Sequence, residues 1–221
     1  MKNKAKDECR TPTKIISRFT RRLHRAGILG TMTGSFSIRR EDLVHITVPG
    51  TDLLKPETAV FFLSTGLPEK PDSPVPEDLS LHLAVYRACP DAGAVIHGEP
   101  PTANAFAVGN LEMRTDFSVE AKRKLGDSVP ILRYLTPSSR TMQKELLSLA
   151  TESSSIILRN QGALCFGKTP AEAADRIEIL EATAKLNLLL SGFPENELHP
   201  IPGKRKKRSC GENTEEHKHE H

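Results

Sequence analysis

Apolar residues recur along this chain in two rhythms. Ile15, Ile16, Phe19 and Leu23 fall on one side of a 3.6-residue helix, opened by Thr11-Pro12 and stopped near Gly27. Leu79, Leu83 and Tyr86 repeat the pattern in a helix that begins at Glu77 and ends at Cys89-Pro90. Pro170 starts the longest such run, through Ala174, Ile177, Leu180, Ala184 and Leu188, closed by Gly192-Phe193-Pro194. Shorter helical patterns cover 102–108 and 141–150. The second rhythm is that of strands, at 36–39, 43–48, 60–63, 92–96, 131–135, 156–158 and 163–167, with Pro49-Gly50 and Gly66-Leu67-Pro68 as turns.

Several of these strands follow one another too closely for a helical crossover. A largely antiparallel or mixed sheet with flanking helices, an α/β fold, is therefore expected. One domain over residues 11–195 accounts for all of the periodic segments. Residues 1–10 read as a flexible N-terminal stretch. Residues 196–221 read as a disordered tail with a basic block, Lys204-Arg205-Lys206-Lys207-Arg208, and alternating His217, His219 and His221.

Charge changes the picture only at that tail. The formal net charge is +3, and the basic block alone accounts for the excess of cations, so the domain itself does not read as a nucleic-acid binder. No apolar run approaches the length that spans a bilayer, and residues 1–6 are basic without the apolar stretch of a secretory signal, so a cytoplasmic protein is expected. The four cysteines are scattered, with no paired-ligand spacing; Cys89 and Cys165 sit among apolar neighbours as small buried hydrophobes.

Chemistry concentrates in three segments far apart in sequence: Pro74-Val75-Pro76-Glu77, His97-Gly98-Glu99 and Asn160-Gln161-Gly162. Residues two apart on a strand point to the same side, so His97 and Glu99 would project together after the apolar run 94–96. Glu77 also fits a first-turn carboxylate favoured by the helix dipole. His82 falls inside a helical pattern and reads as structural. Gly34 and Gly50 read first as turn formers.

Four stretches in order carry a resemblance to the class II aldolase/adducin family. They are the loop at residues 30–39, the turn Thr47-Val48-Pro49-Gly50, the helix and strand from Glu77 to His97, and Arg159-Asn160-Gln161-Gly162. The resemblance covers residues 12–192. It implies a three-layer α/β/α sandwich around a largely antiparallel sheet, and a cyclic homotetramer with sites at subunit boundaries. It implies a lyase of carbohydrate metabolism that cleaves a small sugar-like or sugar-phosphate-like hydroxycarbonyl compound through an enediolate held by a divalent metal. Glu77 would move the proton. His97, Glu99 and Gln161 stand where the family has three histidines and would hold the metal, an oxygen-rich set that favours manganese, iron or magnesium over zinc. Gly34, Ser35, Gly50 and Thr51 would bind the substrate; Val75 and Pro76 replace a pair of phosphate-binding serines. The same resemblance also implies two other readings: a non-catalytic adducin-like assembly module, and a metal-dependent sugar-phosphate dehydratase.

Overall fold

The structure, a computed structural model, describes residues 11–30, 33–136 and 139–202. Among them seven strands form one sheet: β1 (Ser35–Arg40), β2 (Leu43–Thr47), β3 (Thr58–Phe62), β4 (Ala94–Gly98), β5 (Ile131–Leu132), β6 (Ser155–Leu158) and β7 (Gly162–Gly167). Their order is β3-β2-β1-β4-β7-β6-β5. Neighbours pair antiparallel throughout, except for the parallel edge pair β5 and β6. Six helices flank the sheet: α1 (Pro12–Arg25), α2 (Leu79–Ala88), α3 (Pro101–Val108), α4 (Val119–Leu125), α5 (Arg140–Glu152) and α6 (Pro170–Leu190).

Strand alternation sorts the core into two clusters. Phe36, Ile38, Ala94, Ile96, Ile157, Ala163 and Cys165 point to the side packed by α1, α3, α4 and α6. Val95, Ile156, Leu158, Leu164 and Phe166 point to the other side, packed by α2 and α5. The result is the α/β/α sandwich that the resemblance implies, with Ser35, Ser37 and His97 facing α2 by the same period-2 rule.

The structure corrects several boundaries. α2 begins at Leu79 rather than at Glu77, with Asp78 in the N-cap position but making no side-chain capping bond. β4 runs through His97 to Gly98 because it is paired on both sides there, His97 with Ser35 of β1 and with Leu164 of β7. β5 keeps only two of the five residues expected at 131–135, since its single neighbour β6 ends at Leu158. α4 has no counterpart in the sequence reading: only Ala121 and Leu125 are buried on it, too few to show a period. It is held instead by the Ser118 side chain, which accepts from the Ala121 N–H. The expected tail also starts too early. Glu195–Glu197 forms a 3-10 turn, and the Ile201 N–H donates to the Asp116 carbonyl at 2.8 Å. Residues 203–221, with the basic block and the histidines, lie outside the described residues.

Candidate active site

The site assembles where β1, β4 and the β6–β7 hairpin meet the N-terminal end of α2. Two positive-φ residues, Asn160 (φ 62°) and Gly162 (φ 86°), fold the hairpin tightly against the end of β4. A side chain at Gly162 would collide with the Gly98 carbonyl, so glycine is required there by both conformation and space. This approach brings the main-chain carbonyl of Gln161 to 2.6 Å from Nε2 of His97. On the other side of the ring, Nδ1 lies 2.8 Å from Oδ2 of Asp78.

Both partners of His97 are oxygens that accept, so both ring nitrogens donate to them. Burial lowers the His97 pKa, but the hydrogen bond and charge of Asp78, the Gln161 carbonyl and the charge of Glu99 outweigh it and raise the value above normal. For Asp78, burial raises the pKa and is likewise outweighed, chiefly by His97, so its carboxyl lies well below the usual carboxylate range. The two side chains are 12% and 22% exposed.

Asp78 also anchors a second set of contacts. Ser35 Oγ donates to the same Oδ2 at 2.8 Å and lies 2.8 Å from Nε2 of His82. His82 Nδ1 is 2.7 Å from Ser37 Oγ, which is 2.8 Å from the Tyr86 hydroxyl. His82 is fully buried, and burial pushes its pKa down to about 3 against the opposing charge of Asp78, so the ring is neutral.

Beside Asp78 opens a pocket of about 330 Å³ whose lining includes Gly34, Ser35, Gly50, Thr51, Glu77 and Asp78. All four residues expected to bind substrate, and the expected proton carrier, therefore meet at one cavity. Several of them are already engaged within the chain. Ser35 directs its single proton to Asp78 and is 5% exposed, so it is poorly placed to donate to a phosphate. Thr51 Oγ1 accepts from the Glu57 N–H at 3.0 Å, which pins the loop. Glu77 is exposed, and the carboxylate that meets His97 belongs to its neighbour Asp78. A helical stripe signals this in the sequence: Asp78, His82 and Tyr86 are spaced by four along one face of a largely apolar helix.

The three expected metal ligands are not brought together as ligands. Glu99 is exposed, and its N–H donates to the Ile28 carbonyl at 2.9 Å. Gln161 meets His97 through its main chain rather than its amide. Nδ1 of His97 faces Asp78 and Nε2 faces the Gln161 carbonyl, so no side-chain donor of Glu99 or Gln161 shares the open side of the ring. Among the described residues no three His, Cys, Asp or Glu side chains are grouped so as to hold an ion. The residues as arranged do not fit the three-ligand metal centre that the resemblance implies.

The sandwich defines a fold class, and the comparisons agree with it. The model of the Class II Aldolase and Adducin N-terminal domain matches residues 14–188, and the chain belongs to that family. Over 166 residues the chain is 31% identical to an L-fuculose phosphate aldolase of Methanococcus vannielii, covering 72% of this chain and 86% of the relative. It is also 31% identical over 127 residues to a 3-oxo-tetronate 4-phosphate decarboxylase of Escherichia coli (strain K12), covering 56% of this chain and 59% of that protein. That match therefore spans little more than half of the decarboxylase. Among solved structures, YgbL from Escherichia coli superposes with a TM-score of 0.74 at 25% identity, covering 82% of this chain and 90% of YgbL. Among the described residues no helix is long and apolar enough to cross a membrane.

Proposed function

We propose that this chain is a carbon–carbon lyase acting through an enolate on a small phosphorylated oxo compound, with Asp78 and His97 as its working pair. The observation that carries the reading is the imidazole of His97, held by a carboxylate on one nitrogen and presenting an N–H on the other. When a 3-oxo acid loses carbon dioxide, the C1–C2 bond breaks and its electron pair moves into the 3-oxo group. When a hydroxycarbonyl undergoes retro-aldol cleavage, a base takes the hydroxyl proton, an aldehyde leaves as the carbon–carbon bond breaks, and the bond's electron pair moves into the carbonyl as an enolate of the same kind. In both cases a donor aimed at the developing enolate oxygen lowers the barrier. The Nε2–H of His97, now on the Gln161 carbonyl, is the donor a substrate oxygen would engage, and Asp78 keeps the ring oriented and stabilises its charge. The relatives named above, a decarboxylase and an aldolase, perform these two cleavages by name. The homotetramer and the cytoplasmic location expected from the sequence belong to this same reading.

The test is direct. Purified protein is offered 3-oxo-tetronate 4-phosphate and L-fuculose 1-phosphate, with carbon dioxide and aldehyde release as the readouts. Asp78→Asn is expected to lower the rate by up to ~10⁴-fold, the cost of removing the carboxylate that orients a working imidazole, and Glu77→Gln to change it little. An inactive Glu77→Gln beside an active Asp78→Asn would overturn the assignment.

One observation favours a second reading, the non-catalytic assembly module. Tyr86, Ser37, His82, Ser35, Asp78, His97 and the Gln161 carbonyl are joined in one series of hydrogen bonds within the chain, as a purely structural network would be. Inertness toward both substrates at high enzyme concentration would support it.

A further inference from the structure

The hydrogen bonds behind Asp78 have only one consistent direction. An ionised Asp78 can only accept, so the Ser35 hydroxyl must give it its one proton. Ser35 then has only lone pairs left for His82, so Nε2 of His82 must carry the ring proton. A neutral ring with its proton on Nε2 leaves Nδ1 bare, and Ser37 must donate to it. Ser37 in turn accepts from Tyr86. His82 and Ser37 are fully buried and Tyr86 is 1% exposed, so no solvent is at hand to substitute for a missing partner. The chain ends at a core tyrosine and leads nowhere a proton could leave. Its physical effect is orientation, not conduction.

We infer that His82 is a positioning residue: through Ser35 it holds the Asp78 carboxylate as a pure acceptor on His97, while Ser37 and Tyr86 lock the tautomer that allows this. The inference deepens the lyase reading and, for its kinetic consequence, rests on it. Were the His82 proton on Nδ1 instead, Nε2 would draw the Ser35 proton toward itself. Asp78 would then lose one of its two donors and the angle at which it meets His97. A tautomer within the core thus sets the geometry of the site two side chains away.

The experiment combines nitrogen NMR of ¹⁵N-histidine-labelled full-length protein with steady-state kinetics. In the wild type, His82 is expected as the neutral Nε2–H tautomer; an Nδ1–H or doubly protonated ring would overturn the proposal. Ser37→Ala should mix the tautomers of His82 and shift the Nδ1–H resonance of His97, which it does not touch. With 3-oxo-tetronate 4-phosphate or L-fuculose 1-phosphate, whichever the wild type turns over, kcat should fall ~10–100-fold for a displacement of this kind, with KM nearly unchanged. His82→Gln, whose amide can still donate to Ser35, should recover most of the kcat lost in His82→Leu. A Ser37→Ala protein that is less stable but keeps the His97 resonance and kcat would reduce His82 to a structural residue and overturn the inference. If the wild type cleaves neither substrate, the lyase reading fails, while the His82 tautomer and the His97 resonance still decide the positioning role.

Discussion

The two faces of β1 are built from opposite materials. Toward α1 it presents Phe36 and Ile38, both buried, with the Phe36 ring set edge-on to Phe19 at 6.1 Å between centroids. Toward α2 the same strand presents Ser35 and Ser37, equally buried, against His82 and Tyr86. The first face is held by area removed from water and by close packing, which tolerate small shifts in angle. The second is held by hydrogen bonds that must all be made, since an unpaired buried polar group costs more than a made bond contributes. Stability is therefore concentrated on one side of the strand and orientation on the other, and the site sits at the end of the oriented side.

The largest effect is expected on the apolar face. Phe36→Ala should cost about 3–5 kcal/mol by chemical denaturation, the usual range for a deeply buried aromatic, while leaving the His82 tautomer as it is. A changed tautomer in that variant would show that the two faces are not separable.

Next comes the pH dependence that the polar face imposes. His82 has its pKa lowered from 6.5 to about 3, so below pH 6.5 the unfolded chain binds a proton that the native state refuses. Stability should then fall as pH drops from about 6.5 toward 3, with a limiting slope of about 1.4 kcal/mol per pH unit for one proton. The raised pKa of His97 acts with the opposite sign: its contribution is present below pH 6.5 and is lost as pH rises through the folded value. Denaturation midpoints measured across pH in His82→Gln should lose the slope between pH 6.5 and 3.8, below which the lowered pKa of Asp78 adds a slope of the same sign, and keep the alkaline one. An unchanged acid limb would mean that carboxylates alone govern it.

The contrast also explains what could be read in advance. The apolar face was legible, because Phe36, Ile38 and the helix residues Ile15, Ile16, Phe19 and Leu23 follow simple periods. So was the meeting of the Gly34 loop, the Gly50 turn, His97 and the Gln161 hairpin, which rests on short ordered segments. The polar face was not. Ser35 and Ser37 alternate with apolar residues and look like the wet side of a half-exposed strand, and nothing local says that α2 covers them. In sequence Glu77 suits the acid because a glutamate favours a helix start, while the one-residue difference to Asp78 depends on where the helix begins. The arrangement of the expected metal set was not legible for a similar reason: residue types at Glu99 and Gln161 do not reveal that Gln161 faces His97 through its main chain.

A smaller effect tests that last point. Zinc, manganese or magnesium added to protein ending at Pro202, which lacks the tail histidines, should leave the melting midpoint unmoved. Saturating binding at one site with 100-fold excess over Kd would stabilise by about 2.7 kcal/mol, a shift that could not be overlooked. Such a shift, abolished by His97→Gln, would mean that the ion displaces the Gln161 carbonyl and that the donor arrangement described above is one of two states.

Among the substitutions, the smallest effect should come from Tyr86→Phe. The phenol donates to Ser37, and its deletion leaves Ser37 still donating to His82, with one lone pair unused. An under-used acceptor costs less than an unpaired donor, so about 0.5–1.5 kcal/mol is expected, with no change in the His82 tautomer. Ser37→Ala should cost more, about 1–3 kcal/mol, because it strands two groups at once, Nδ1 of His82 and the Tyr86 hydroxyl. The order of these two substitutions is the informative quantity. If Tyr86→Phe proved the more damaging, the phenol would matter for its packing rather than for its proton, and the chain of donors would begin at Ser37.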